Sequence, residues 1–260
     1  MKAIVLAAGY ATRLYPLTKT VAKPLLPVGG RPMIDHLLDR IREVDEVDGV
    51  HVVTNHKFAD SFLRWAETHE AAGSPIDVHD DRTTSEDDRL GAIGDVRFVV
   101  EQAGLGRDDL LVVAGDNLFD YSVADYARWW RSKGEASAVA LYDVGDFELV
   151  KKYSSVELDD DDRLVGFVEK PERPQSTLVA TATYLFHRAH VPLVERYLTE
   201  GNSPDQPGRF VAWLVPRARV FGYRFEGEWR DIGDGEQLLE ADNRLRERAG
   251  LPLRDSYSLH

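Results

Sequence analysis

The chain has 260 residues, of which 43% are hydrophobic and 30% charged, so it has enough apolar material for a sizeable core and is not a disordered chain. Its 32 Lys and Arg residues are outnumbered by 45 Asp and Glu residues, which gives a formal net charge of −13. This charge argues against nucleic acid as a partner, whereas a small anionic ligand would need local positive charge. The absence of cysteine excludes disulfides, thiolate zinc sites and cysteine nucleophiles.

The first half of the chain alternates continuous apolar runs with helical patterns. The apolar runs predict buried strands at 4–8, 50–54 and 110–114. Apolar residues at helical spacing predict helices at 32–44, 58–69, 91–101 and 123–133. The polar stretch 80–89 is expected to be a loop. This alternation predicts a parallel, doubly wound α/β sheet.

The second half is richer in strands. The strands are predicted at 137–144, 153–158, 164–169, 179–186 and 220–225, and the helices at 191–199, 210–215 and 235–248. No linker or internal repeat divides the chain, so residues 1–260 are interpreted as one domain with two lobes. The apolar run before Gly9 is too short for a signal peptide or a membrane span, and no later run approaches ~18 residues. We therefore expect a soluble, cytoplasmic protein with no membrane partner.

The loop after the first predicted strand is the most informative segment. In an open α/β sheet, ligands bind beyond the carboxyl ends of the strands, and a loop of small residues can turn its N–H groups toward phosphate. Arg13 and Lys23 would add positive charge to the loop that begins at Gly9. The alternative is a plain glycine turn with two surface cations. The loop matches neither the dinucleotide-binding fingerprint nor the P-loop, which argues against a dinucleotide-dependent enzyme.

Three later segments place charged residues at the ends of predicted elements. Asp116 follows a buried strand, where it could hold Mg²⁺ against phosphate oxygens or could simply belong to a turn. Glu169 and Lys170 end another strand and could bind hydroxyl groups and a phosphate, or could form a surface ion pair. Asp231 lies between a strand and a helix, and its alternative role is that of a residue at a helix start.

Taken in order, these segments resemble the sugar-phosphate nucleotidyltransferase family. The family signature, Gly-x-Gly-Thr-Arg followed about ten residues later by Lys-Pro-Leu-Leu-Pro, stands here as Gly-Tyr-Ala-Thr-Arg at 9–13 and Lys-Pro-Leu-Leu-Pro at 23–27. Further matches are Gly-Asp-Asn at 115–117, Glu-Lys-Pro at 169–171 and Trp-Arg-Asp-Ile-Gly at 229–233. The resemblance implies a Rossmann-like α/β fold with a mostly parallel sheet, helices on both faces and a smaller sugar-binding lobe. The nucleotide-binding lobe would cover about 1–120 and the sugar-phosphate-binding lobe about 121–260.

The resemblance also implies an activity and a set of site residues. A nucleotidyl group would pass from a nucleoside triphosphate to a sugar 1-phosphate, with Mg²⁺ as cofactor, giving a nucleotide sugar and pyrophosphate. The favoured triphosphates are dTTP and UTP, and the favoured sugar phosphate is glucose 1-phosphate. The implied catalytic residues are Arg13, Lys23 and Asp116, and the implied metal ligands are Asp116 and Asp231. The nucleotide would contact Leu6, Ala8, Gly9, Thr83 and Gly91. The sugar phosphate would contact Asn117, Glu169, Lys170 and Thr181.

The chain departs from the family pattern at several positions. Ala11 replaces the second glycine of the signature, and Ala182 stands where members often have glycine. The segment 82–94 lacks the usual base-reading Gln, which leaves Thr83 and Thr84 as candidate readers. These departures leave open a catalytically silent sugar-nucleotide sensor or partner subunit on the same fold. Because no hexapeptide repeats follow, we expect no β-helix extension, while a homo-oligomer stays open.

Overall fold

A computed structural model describes residues 1–69 and 75–259 of the chain. In chain order the strands are β1 (Lys2–Leu6), β2 (Pro27–Val28), β3 (Arg31–Pro32), β4 (Val50–Thr54), β5 (Ile76–Asp80), β6 (Leu110–Ala114), β7 (Asn117–Phe119), β8 (Ser137–Asp143), β9 (Ser154–Leu158), β10 (Leu164–Glu169), β11 (Leu178–Phe186), β12 (Val220–Arg224) and β13 (Trp229–Asp231). The helices are α1 (Met33–Arg42), α2 (Ala59–Glu67), α3 (Ala92–Gln102), α4 (Val123–Arg131), α5 (Phe147–Val150), α6 (Leu193–Thr199), α7 (Pro207–Leu214) and α8 (Gly235–Arg248).

The central sheet has seven strands in the order β12–β8–β11–β6–β1–β4–β5. Strand β11 runs antiparallel to both of its neighbours, β6 and β8, and the other pairs in the sheet are parallel. The expected mostly parallel α/β sheet is therefore confirmed. Short antiparallel pairs, β9 with β10, β7 with β13 and β2 with β3, lie outside it.

Alternate residues of the central strands face two separate apolar layers, because successive side chains in a strand point to opposite faces. Val5 and Val113 pack into one layer, and Ile4 and Val112 pack into the other. The first layer is completed by helices α1, α2 and α4, and the second by α3, α6 and α7. The predicted helices on both faces are confirmed. Helix α8 covers a third, smaller cluster that contains Leu26.

Several predicted elements differ from the observed ones. The first strand is Lys2–Leu6 and not 4–8, so the small residues after Leu6 belong to the loop. Strand β5 was not predicted, and neither were the three-residue strands β7 and β13. Within residues 1–69 and 75–259, no helix is long and apolar enough to cross a membrane. The boundary between two lobes near residue 120 stays a prediction.

Candidate active site

The loop after β1 brings Arg13 to the carboxyl end of the sheet. Ala11 has a φ of 47°, in the left-handed region, and starts a short helix that carries Arg13. The Thr18 hydroxyl donates a hydrogen bond of 2.8 Å to the carbonyl oxygen of Ala11 and so fixes this turn. The Arg13 guanidinium lies beside Gly233, where an added Cβ would stand 3.3 Å from its Nη1. The loop therefore presents a cation to the strand ends, and the binding role predicted for Arg13 stays a prediction.

Lys23 and Asp116 form an ion pair at the same edge. Lys23 Nζ lies 2.6 Å from Asp116 Oδ2, and the lysine side chain is only 10% exposed. Gly115 permits this approach, because a Cβ there would stand 2.9 Å from the carbonyl oxygen of Leu6. Its N–H donates to that same carbonyl at 2.8 Å. The chain after β6 is thereby held against the end of β1, and Asp116 is turned toward the loop.

The β7–β13 pair brings Asp231 to Asp116. In this antiparallel ladder Asp231 lies directly opposite Asn117, and Trp229 Nε1 donates 2.7 Å to Asn117 Oδ1. Burial raises the pKa of Asp231, and the charge of Asp116 raises it further. The cations whose charges oppose this shift are Lys23, Arg13 and Lys170. Five charged groups from four separate segments therefore meet at one point.

Four of these groups, all except Lys23, border a cavity of about 460 Å³. It is lined by side chains from both halves of the chain, including Arg13, Asp116, Asp231, Glu169, Lys170, Tyr153, Gln206 and Trp229. Burial raises the pKa of Glu169, and the charges of Lys170 and Arg209 oppose this. Lys170 has a φ of 48°, and its N–H donates to the carbonyl oxygen of Tyr153 at 2.6 Å. A strained backbone position thus holds this lysine at the cavity.

Asn117 and Thr181 border the cavity, but their side chains are committed to the protein. The Asn117 amide donates to the Thr181 carbonyl oxygen and, at 3.2 Å, to Thr183 Oγ1. The Thr181 hydroxyl donates 3.1 Å to the Ala140 carbonyl oxygen and is fully buried. Ala182, with a φ of 52°, interrupts the pairing of β11 with β8. The two residues shape the wall, and their contact with a sugar stays a prediction.

A second cavity of about 360 Å³ adjoins the first and shares Lys170 and Gln206 with it. It contains the predicted nucleotide residues Leu6, Ala8, Gly9 and Gly91, together with Arg89, Asp95 and Asp205. Gly91 has a φ of 79°, and a Cβ there would stand 2.8 Å from the Pro204 carbonyl oxygen. Thr83 and Thr84 line neither cavity: Thr83 is buried and Thr84 is exposed.

The profile of the nucleotidyl transferase family matches residues 2–248, which is nearly the whole chain. The chain belongs to the nucleotidyl transferase family. It is 30% identical over 250 residues to a glucose-1-phosphate thymidylyltransferase of Streptomyces antibioticus, covering 95% of this chain and 67% of that protein. It is 30% identical to a UTP–glucose-1-phosphate uridylyltransferase of Synechocystis, and the match covers 90% of this chain and 60% of that protein. It is also 29% identical to a mannose-1-phosphate guanylyltransferase of Mycobacterium tuberculosis, and the match covers 91% of this chain and 62% of that protein.

The similarity also extends to solved structures. A UDP-glucose pyrophosphorylase complexed with UDP-glucose superposes with a TM-score of 0.78 at 22% identity, covering 95% of this chain and 98% of that one. At this identity the similarity concerns the fold. The chain spans between 55% and 60% of the length of two relatives, the bifunctional protein GlmU of Methanocaldococcus jannaschii and the Synechocystis enzyme.

The acidic residues of this nucleotidyl transferase suit a magnesium ion that also binds substrate. Mg²⁺ in nucleotide enzymes is held by one or two carboxylates together with phosphate oxygens. Asp116 and Asp231 offer only oxygen atoms, and the charge of Asp116 adds to the effect of burial in raising the pKa of Asp231. In the described part of the chain no three His, Asp or Glu side chains form a metal cluster. The donor set therefore fits a metal that is completed by a triphosphate.

Sequence reasoning missed several cavity residues. Tyr153 packs edge-on against Trp229, with ring centroids 5.1 Å apart. The charges of Asp231 and Arg13 both act on the Tyr153 hydroxyl, whose pKa is raised chiefly by burial. Gln206 joins the two cavities. No sequence pattern marks Tyr153 or Gln206, because the position of Tyr153 depends on strand pairing and that of Gln206 on the start of α7. Trp229 lies in a motif that was noted only for Asp231.

Proposed function

We propose that the protein transfers a nucleotidyl group from a nucleoside triphosphate to a sugar 1-phosphate, giving a nucleotide sugar and pyrophosphate. Membership of the family supports this reaction class. The observation that carries it is the meeting of Asp116 and Asp231 with Lys23, Arg13 and Lys170 at the strand ends. Although the chain has a net charge of −13, three cations lie beside these two carboxylates, and they would bind a small anionic substrate.

The reaction needs no nucleophile from the protein. An oxygen of the sugar phosphate forms a bond to the α-phosphorus of the triphosphate. The bond from that phosphorus to the bridging oxygen breaks, and its electron pair leaves with pyrophosphate. Because the attacking group is already an anion, catalysis consists of positioning the two substrates and neutralising charge.

Each charged side chain has a distinct place in this scheme. Arg13, on the loop after β1, would bind the triphosphate and the departing pyrophosphate. Lys23, held by Asp116, would lie between the reacting phosphates, where a fixed cation stabilises the developing charge. Lys170 would bind the sugar phosphate, since it lies where the two cavities meet. Glu169 would accept hydrogen bonds from sugar hydroxyl groups.

Asp116 and Asp231 would hold Mg²⁺, which when bound would supply further positive charge to the phosphate oxygens. For the substrates we propose glucose 1-phosphate with UTP or dTTP, since relatives named for these substrates are about 30% identical. A guanylyltransferase relative at 29% makes GTP the nucleotide to test beside them. A homo-oligomer stays a prediction.

The test is pyrophosphate release with Mg²⁺, crossing glucose 1-phosphate and mannose 1-phosphate against UTP, dTTP and GTP. We expect turnover with one preferred pair. Asp116→Asn and Lys23→Ala should each lower kcat by about 10²–10³-fold, the usual effect of losing one charge-stabilising group. Asp60→Asn and Lys57→Ala change the same residue types on the exposed surface near α2 and should retain full activity. Full activity of Asp116→Asn or Lys23→Ala would refute the mechanism, and folded wild-type protein without turnover on any pair would favour the silent sensor.

A further inference from the structure

Two buried carboxyl groups, Asp81 and Asp95, meet on the nucleotide side of the cleft. Asp81 follows β5 and Asp95 lies in the first turn of α3, and each is 6% exposed. Their side chains are within hydrogen-bonding reach of each other. The mechanism proposed above uses neither residue. The pair therefore needs an explanation of its own.

The oxygen atoms of the pair show how it can be stable. Asp81 Oδ1 accepts two hydrogen bonds of 2.7 Å, from the N–H and the hydroxyl of Thr83. Asp81 Oδ2 and Asp95 Oδ1 are buried, and no donor in the described part of the chain reaches them. Two ionised carboxylates at this distance would repel each other without compensation. One proton held between these two oxygens would satisfy both.

Nearby arginines do not replace that proton. Arg89 pairs with Glu86 and, at 3.4 Å, with Asp205. Arg97 lies 3.6 Å from Glu101 and 3.5 Å from Glu195. These two arginines are thus directed toward other acids. Lys170, which also lines the cavity beside Asp95, acts on Glu169 and Asp231, so the buried pair is left to hold its own proton.

The pair joins the two segments that border the nucleotide cavity. Asp95 lines that cavity with Gly91, on the α3 side. Asp81 holds Thr83, whose hydroxyl lies 3.4 Å from the hydroxyl of Tyr10, and Tyr10 lies in the loop after β1. A change at the pair would therefore move the loop 82–90 relative to α3 and alter the space for the nucleotide.

We propose that Asp81 and Asp95 share one proton, and that this proton fastens the loop 82–90 to α3 and so positions the nucleotide side of the cleft. Asp95 is then a positioning residue for the nucleotide. The proposal rests on the proposed function for its kinetic effect, whereas the shared proton itself can be tested without turnover.

Loss of the shared proton should weaken nucleotide binding at alkaline pH. Burial, together with the charge of Asp81, raises the pKa of Asp95 to about 8. The ionisable groups that act on the pair or line a cavity with it are Tyr10, Asp80, Arg89, Arg97, Glu101, Lys170 and Asp205. The pKa of Tyr10 is itself raised by burial, so its hydroxyl stays neutral in this range. His56, whose pKa is raised by its hydrogen bond to Asp80, is the nearby group that a control must remove.

The experiment compares wild type with Asp95→Asn from pH 7 to 9.5. The amide of the variant donates to Asp81 at every pH and so imitates the protonated acid. For the wild type, the KM and the dissociation constant of UTP, dTTP or GTP, whichever is the substrate, should rise by up to about tenfold per pH unit above pH 8. The KM of the sugar phosphate should not follow, and Asp95→Asn should show no such rise. Comparing the two proteins cancels the titration of the nucleotide itself.

Two control variants separate the pair from its surroundings. His56→Gln removes the nearby histidine, and Asp161→Asn removes one negative charge from an exposed turn. Both should keep the wild-type rise. Identical pH profiles for wild type and Asp95→Asn would overturn the proposal, and so would loss of the rise in His56→Gln.

A second measurement needs no substrate. The melting temperature of Asp95→Asn minus that of the wild type should grow as pH rises from 5 to 8, because the wild type alone must retain a proton that its unfolded chain releases. A constant difference would also overturn the proposal. If no nucleotide binds at any pH while the melting difference grows, the shared proton stands and the proposed function fails.

Discussion

Gly208 allows a sharp test of the sugar side of the cleft. It lies in the first turn of α7, directly over Glu169, and a Cβ at this position would collide with Glu169 Oε2. The same Cβ would stand 2.9 Å from the ring of Phe167. Since the carboxylate is at the end of a flexible side chain, Gly208→Ala should displace it from the cavity while the backbone stays in place.

The expected magnitude follows from the contacts that would be lost. A hydrogen bond to a charged group contributes about 1.5–3 kcal/mol, so displacement of Glu169 should raise the KM of the sugar phosphate about 10- to 150-fold. Crowding against Phe167 costs ~1–3 kcal/mol of folding stability, and the better helix propensity of alanine returns up to ~1 kcal/mol. The variant should therefore remain folded.

The assay is steady-state kinetics with each substrate varied in turn, together with a thermal unfolding curve. Gly208→Ala should change the KM of the sugar phosphate and leave that of the nucleotide within about twofold, since losing ~0.4 kcal/mol or less has that effect. Glu169→Gln should reproduce the direction with a smaller effect, because the neutral amide oxygen remains an acceptor. Gly106→Ala is the matched control, since a Cβ there meets nothing within 4 Å. An unchanged sugar-phosphate KM in both Gly208→Ala and Glu169→Gln would refute the role of Glu169.

Two further predictions concern stability. Ala11→Gly and Ala182→Gly should each raise the free energy of unfolding by up to ~1 kcal/mol in urea titrations. The left-handed backbone strains alanine by about 1–2 kcal/mol, and the larger entropy of the unfolded chain with glycine offsets part of the gain from relieving that strain. The control Ala180→Gly, in the same strand as Ala182, should lower the free energy of unfolding, and equal losses at all three positions would contradict the strain argument. Burial lowers the pKa of His51 and His79, so the unfolded chain takes up these protons first as pH falls. The free energy of unfolding should accordingly decrease from pH 7 to pH 5, by less in His79→Gln, and an identical decrease in that variant would refute the assignment.

The parts of the fold that sequence reasoning predicted are those with a strong local pattern. The apolar run at Leu110–Ala114 is buried on both faces of the sheet, and for this reason it contains no polar residue. Strand β5 was missed because it is an edge strand, in which Ile76 and Val78 alternate with charged and imidazole side chains. A run of this kind resembles a loop until a neighbouring strand supplies its hydrogen bonds.

The candidate site was predicted as a set of residues, but its geometry was not. Motifs in the sequence pointed to Arg13, Lys23, Asp116 and Asp231 separately. Their meeting depends on the β7–β13 ladder, whose strands have three residues each and are joined through the Asn117 side chain across 112 positions of the chain. Strands this short have no periodicity, so no local pattern could reveal them.

Two alanines that stand where the family pattern has glycine, Ala11 and Ala182, adopt the left-handed backbone that glycine favours. Ala11, Lys170 and Ala182 have positive φ angles, which glycine adopts at a lower cost. Lys170 and Ala182 line the larger cavity, and Ala11 starts the short helix that carries Arg13. Hydrogen bonds hold two of them: the Thr18 hydroxyl donates to the carbonyl oxygen of Ala11, and the N–H of Lys170 donates to the carbonyl oxygen of Tyr153. Alanine adds only a methyl group, so these positions keep the turn that glycine would make at a modest cost in folding free energy. The unusual residues thus change the stability of the cleft more than its shape, and the arrangement of Lys23, Asp116 and Asp231 is retained.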